Sequence, residues 1–171
     1  GTQRVHSMWV DLKVDSDTIR VISNHLQSTH VTKQDRDETI TAKIINDTTA
    51  SEKVMSLAHK LAENYSLRAA QAKRLREFIK ESPYEVIVCG DFNDTAGSYV
   101  YRKVARRLKD TFTEQGVGYV YTFRDFMNLL RIDYIFVSDG FKVHEYEVPE
   151  VKYSDHLPVL SRVQLVDRRG D

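Results

Sequence analysis

The stretch Val86–Asn93, VIVCGDFN, constrains this chain more than any other, because four apolar residues pass directly into a carboxylate and a carboxamide. Short apolar runs of β-branched residues bounded by turn formers make strands buried on both faces, so Val86 to Cys89 is expected inside a sheet. Asp91 then stands at the strand's end. Period-2 alternation puts Asp91 and Asn93 on the same side, which sets an anionic oxygen and a neutral amide beside one bound group. Such a pair suits a metal-assisted phosphate site.

The segments around this strand give a mixed α/β pattern. Val5 to Val14 alternates, Asp15-Ser16-Asp17 supplies turn chemistry, and Ile19 to Ile22 follows, which reads as a β-hairpin leading into the polar strand end Ser23 to Ser28. Thr32 to Asp47 is highly charged with weak periodicity and reads as a loop or short helix. Thr49 and Glu52 form a T-x-x-E capping box ahead of Val54, Leu57, Ala58 and Leu61 at helical spacing. A second helical stretch carries Leu67, Ala70, Leu75, Phe78 and Ile79 on one side, with most of its basic residues elsewhere, and Pro83 ends it. Helix followed by buried strand is a crossover unit, so strands should run parallel there. An amphipathic helix is expected over Ser98 to Leu108, and strands near Tyr119 to Phe123, Ile132 to Val137, Phe141 to Tyr146 and Leu157 to Leu165. Residues 1–166 read as one domain, and 167–171 as a charged tail.

Charge and composition exclude several partners in bulk. Lys plus Arg and Asp plus Glu are both 25, so a nucleic acid or anionic membrane would need a local patch. No run approaches the roughly 20 apolar residues of a membrane span. The single Cys89 removes disulfide frameworks and multi-cysteine zinc sites, and its place in an apolar strand favours packing. Hydrophobic residues make up 41% of the 171, enough for a core. The chain opens at Gly1-Thr2 without Met and enters a strand at once, which is expected of a fragment.

Three further polar clusters stand beside apolar strands: Asn24-His25, Arg131-Ile132-Asp133-Tyr134 and Ser154-Asp155-His156 before Leu157-Pro158. Each has a plain reading. Asp91 alone is a turn or cap residue, His25 a hydrogen-bonded surface residue, and Asp155-His156 turn chemistry ahead of proline. Asp133 is less easily dismissed, because a carboxylate facing inward on a strand needs a cation, a metal or a histidine. In α/β sheets, functional groups gather where strand and loop ends meet, so four clusters together point to one cleft. Carboxylate and amide oxygens suit Mg²⁺ better than Zn²⁺, and pairing of His25 with His30 is unspecific. Arg102 to Lys109 holds five positive charges in eight residues, read as a solvated helix face ahead of a phosphate contact. Tyr99, Tyr101, Tyr119, Tyr121 and Phe123 read as strand packing ahead of base stacking.

Taken as words in order, Asn24-His25-Leu26, Gly90-Asp91-Phe92-Asn93-Asp94, Arg131-Ile132-Asp133-Tyr134-Ile135 and Ser154-Asp155-His156-Leu157-Pro158 resemble the endonuclease/exonuclease/phosphatase superfamily, the deoxyribonuclease I-like fold. The resemblance spans about Val5 to Leu165 and implies part of a four-layered α/β/β/α sandwich. It also implies an upstream glutamate ligand that has no counterpart here, hence a C-terminal portion of a domain, with the missing half or a second copy covering exposed sheet. Long family members resembling this chain around Gln27-Ser28 and Arg68 to Gln71 look bacterial. By the same likeness the activity is hydrolysis of a phosphoester by a Mg²⁺-dependent phosphodiesterase, nuclease or phosphatase, Mn²⁺ being an alternative ion. Asp91 would orient or deprotonate the attacking water, and Asn93 would hold that carboxylate or a phosphate oxygen. Asp155 and Asp91 would hold the metal, while Asp133 orients His156 against the scissile phosphate and His25 donates to a phosphoryl or leaving oxygen. The substrate class, whether nucleic acid, phospholipid head group or small phosphate ester, is left open, as is a non-catalytic module binding a phosphorylated ligand or protein. A metal-free acid/base hydrolase lacks any nucleophile setting such as G-x-S-x-G.

Overall fold

Strand β3, Glu85–Asp91, is central in the computed structural model, which describes residues 7–29, 37, 50–124 and 128–166. The hairpin β1, Ser7–Val14, and β2, Asp17–His25, stands on one side of it, with β5, Asp133–Val137, and the two-residue β4, Lys109–Asp110, on the other. The order is β1-β2-β3-β5-β4. Among the described strands only β2 and β3 are parallel, and the long helix α1, Ala50–Lys80, makes the crossover between them, as the helix-then-strand pattern requires.

Alternation in these strands sends one set of side chains to each face. Ile22, Val86, Val88, Tyr134 and Phe136 meet Ala72, Leu75 and Ile79 of α1 and Val100 and Val104 of α2, Tyr99–Ala105, in the main core. On the opposite face, Ile19 and Val137 meet Phe141 and Val143 from a second, two-stranded antiparallel sheet, with Val21, Ile87, Ile135, Val163 and Leu165 around them. That sheet is β6, Phe141–Glu147, and β7, Leu160–Leu165, and the short helix α3, Thr111–Gln115, packs beside β6. Helices, a mixed sheet and a second sheet thus lie in successive layers, which is the expected mixed α/β class. The outer strand β1 leaves Met8, Val10, Leu12 and Val14 exposed on the face that β6 and β7 cover only in part. No described helix is long and apolar enough to cross a membrane.

Several local expectations change. The two helical stretches are one 31-residue helix, because Asn64 and Arg68, which interrupt the apolar period, are themselves buried. Helix α2 stops at Ala105, and Arg107 turns to φ +60° instead of continuing to Leu108. Tyr119 to Phe123 forms no strand; Phe123 makes single bridges to Leu130 and His156. Leu157 donates its N–H to Thr122 at 2.8 Å, so β7 begins only at Leu160. The segment Thr32 to Asp47 apart from Asp37, together with His30, Thr49 of the capping box and the tail 167–171, lies outside the described residues.

Candidate active site

Register assembles the first three residues. His25 stands opposite Asp91 on the parallel pair β2/β3, and Asp91 stands opposite Asp133 on the antiparallel pair β3/β5. Directly paired residues share a sheet face, so three adjacent strands present His25, Asp91 and Asp133 in one row. His25 is exposed, with Nε2 3.5 Å from Asp91 Oδ2. Its neighbour Asn24 is buried against Gly90, and neither of its side-chain polar atoms has a partner among the described residues. A Cβ on Gly90 would stand 1.9 Å from the Asn24 carbonyl oxygen, and φ there is +130°, so only glycine fits ahead of Asp91.

Asn93 joins Asp91, but by a route other than strand alternation. The strand ends at Asp91, Asn93 takes φ +50°, and its N–H donates to Asp91 Oδ1 at 2.7 Å, an Asx turn. Its Nδ2 then donates to Asp91 Oδ2 at 2.8 Å and to the Leu26 carbonyl at 3.1 Å. Both carboxylate oxygens of Asp91 are therefore gripped by one residue.

His156 arrives from a loop. Ser154 Oγ accepts the His156 N–H at 3.1 Å, the Arg124 N–H donates to the Asp155 carbonyl at 2.9 Å, and the imidazole rests 4.8 Å from the Phe123 ring centre. These contacts aim Nδ1 at Asp133 Oδ2, 2.9 Å away. Asp133 is held in turn by the fully buried Thr122, whose Oγ1 accepts the N–H groups of Ile132 and Asp133 at 3.0 and 3.1 Å. Nothing in the sequence distinguished Thr122 from an ordinary strand threonine.

One ligand atom each from Asp91, Asp133 and His156 falls within 4.8 Å of the others, the only such group of three found among the described residues. Asp155 is not in it. Its side chain is exposed, and its negative charge acts on His156. Burial and the charge of Asp133 push the Asp91 carboxyl up to about 6, against the N–H of Asn93 and the two histidines, which favour its ionised form. The hydrogen bond to Asp133 raises the His156 imidazole above its ordinary value, and the charges of Asp133, Asp91 and Asp155 act in the same direction. Two neighbouring carboxylates, with no lysine or arginine paired to either among the described residues, are a donor set that a hard divalent cation fits. A cavity of about 440 Å³ opens beside Asp133 and His156, walled by Cys89, Val151, Tyr153 and Leu157.

The other sequence candidates lie elsewhere. Tyr101 donates to Asp110 at 2.8 Å and packs on Tyr134 and Phe136, which is a core position. Arg102, Arg106 and Arg107 are exposed, and Lys109 donates to the Phe141 carbonyl at 2.8 Å.

Comparison with protein-family models matches residues 16–156 to the Endonuclease/Exonuclease/phosphatase family. Comparison with curated proteins gave no match. Among solved structures, the chain is similar to an endonuclease/exonuclease/phosphatase from Bacteroides vulgatus, with TM-score 0.62 and 21% identity over 93% of this chain and 55% of that one. A mannosyl-6-phosphatase of Bacteroides thetaiotaomicron gives 0.56 and 21% over 93% and 57%. The human Nocturnin catalytic domain with bound sulfate gives 0.56 and 16% over 94% and 52%. At these identities the likeness is one of fold, and the chain spans a little over half the length of each.

Proposed function

We propose, from the premise that this chain belongs to the endonuclease/exonuclease/phosphatase family, that it carries most of the active site of a divalent-metal-dependent phosphoester hydrolase. The observation that carries this reading is the meeting of Asp91, Asp133 and His156 within 4.8 Å, from a strand end, a neighbouring strand and a remote loop. His156 has Nδ1 committed to Asp133, which leaves Nε2 for the scissile phosphate. Asp91 orients or deprotonates the attacking water, and Asn93 keeps its carboxylate in place. His25, exposed at the open side of the row, donates to a phosphoryl or leaving oxygen. Asp91 would hold the cation, Mg²⁺ by the hardness of its oxygen ligand, and Asp155 is the second protein ligand that family likeness suggests. When bound, the cation supplies charge neutralisation at the phosphoryl oxygens.

The exposed apolar row Met8, Val10, Leu12 and Val14 supports a covering partner on that face, either further chain of the same domain or a second copy.

Hydrolysis of bis-p-nitrophenyl phosphate, DNA, RNA, sphingomyelin and inositol phosphates by the full-length protein, with and without EDTA, tests the reading and sorts its substrates. Turnover should stop in EDTA. Activity that survives both EDTA and replacement of Asp91 and His156 by alanine would end it.

A further inference from the structure

Helix α1 turns polar side chains inward where a core helix would carry apolar ones, and three of them reach the loops beside the site. Asn64, Arg68 and Gln71 stand at i, i+4 and i+7, hence on one face. Arg68 is only 4% exposed and Asn64 9%. A guanidinium withdrawn this far from water is strongly unfavourable unless its N–H groups are matched. Two separate loops match them: Nη1 donates to the Gln27 carbonyl at 2.7 Å, and Nε meets Asp94 Oδ2 at 3.3 Å. Gln71 Oε1 accepts the Gln27 N–H at 2.8 Å, Asn64 Oδ1 accepts from Gln27 Nε2 at 3.0 Å, and Asn64 Nδ2 donates to the Thr29 carbonyl at 3.0 Å. The backbone and side chain of Gln27 are both held by α1.

Each loop carries part of the site. Gln27 lies two residues beyond His25, and Asp94 directly follows Asn93. Nearer the reacting groups the loops are stitched by the Leu26 N–H to the Asp91 carbonyl at 2.9 Å and by Asn93 Nδ2 to the Leu26 carbonyl. Arg68 repeats that connection from below. Well-packed apolar residues at such positions often serve stability equally well, so three polar side chains converging on two loops call for a reason beyond stability. Holding two loops at a fixed separation is one, because catalytic groups act only when their supports lock them in place.

We propose that Arg68 is a positioning residue of the site, setting the spacing between the loop that bears His25 and the loop whose Asn93 grips Asp91. The role rests on the phosphoester reading above. Arg68→Met keeps the stem's packing and loses both polar contacts. A displacement of about 1 Å costs on the order of 100-fold in rate, so kcat of the full-length protein falls roughly 10- to 100-fold while KM moves less than about threefold. Arg68→Lys, able to reach one acceptor, recovers part of the loss. Val104→Ala, in the core between α1 and α2, serves as a destabilised control, and its kcat per folded molecule stays that of the parent.

Amide hydrogen exchange gives a readout independent of turnover: in Arg68→Met the N–H groups of Leu26, Gln27 and Asn93 exchange faster, and in Val104→Ala they do not. Parental kcat in Arg68→Met, an equal kcat loss in Val104→Ala, or unchanged exchange at the three amides would each overturn the inference. Should Arg68→Met fail to fold, Arg68→Lys must show the same split at smaller amplitude, and its absence would count equally against the role. A parent without phosphoesterase activity would sink the functional reading by itself, while the exchange pattern would still decide whether Arg68 ties the loops.

Discussion

Two acidic clusters lie close together in this molecule and are handled in opposite ways. Asp110, at the start of α3, is 4% exposed, yet every demand of its carboxylate is met: Arg131 donates to both oxygens at 3.2 and 2.9 Å, Tyr101 at 2.8 Å and the Phe112 N–H at 3.0 Å. The guanidinium is itself flanked by the rings of Phe112 and Tyr134, each 4.5 Å from its carbon. Two residues beyond Arg131, Asp133 faces Asp91 with only imidazoles for cationic partners among the described residues. A structural acid is neutralised in place. The other pair is kept short of positive charge, and burial pushes Asp91 up to about 6, which on the proposed reading is where a cation and a phosphate would be received.

The largest effect should separate the clusters by what they lose. Asp91→Ala and His156→Ala should each lower kcat by about 10²–10⁴-fold with the fold intact, because each removes a group proposed to act on the proton or the phosphate. Steady-state rates beside circular dichroism check this, and wild-type turnover in either variant would erase the distinction. Arg131→Met should do the reverse. It leaves the Asp110 carboxylate buried without its main partner, which costs roughly 3–5 kcal/mol, read by urea denaturation, while kcat per folded molecule is retained. A fall in kcat matching that of Asp91→Ala would merge the clusters into one functional unit.

Asp91→Asn sharpens the contrast through pH. The folded carboxyl is raised from 3.8 to about 6, so across that window the folded chain binds more protons than the unfolded one. Its stability therefore falls as pH rises from about 4 to 6 and levels off above. In EDTA, Asp91→Asn removes this decline and stabilises the chain at pH 7 by at most about 3 kcal/mol, less what the mismatched Asn93 amide costs. Thermal melts of both proteins at pH 4, 6 and 7 test it, and an equal decline in the variant would show that Asp91 is not the strained group. The smallest effect belongs to an exposed pair. Glu77→Gln, which breaks a contact with Lys80 on the surface of α1, should leave the melting temperature unchanged within error.

Only the Asp91 side of this contrast was legible in the chain. VIVCGDFN located the central strand and its terminal carboxylate, and the helix before it announced the parallel crossover that aligns His25 with Asp91. The pairing of Asp133 with His156 was a consequence of resemblance, since no spacing rule joins residues 23 positions apart. Other features had no local signal. Asn93 reaches Asp91 through positive φ, which strand alternation does not describe. Helix α1 looked like two because Asn64 and Arg68 break the apolar period while serving the loops. Strand β4 and helix α3, two and five residues long, are too short to leave a period, and only the cap Asp110, accepting the Phe112 N–H, marks the start of the latter.

The central proposal is that Asp91 holds a divalent cation while His156, oriented by Asp133, faces the phosphorus beside it. Anomalous diffraction from crystals of the full-length protein grown with Mn²⁺ tests this most directly. The account predicts a manganese peak in contact with an Asp91 carboxylate oxygen, with the His156 to Asp133 hydrogen bond retained. A map in which manganese binds only elsewhere, or in which Asp91 and His156 turn to different surfaces, would contradict it.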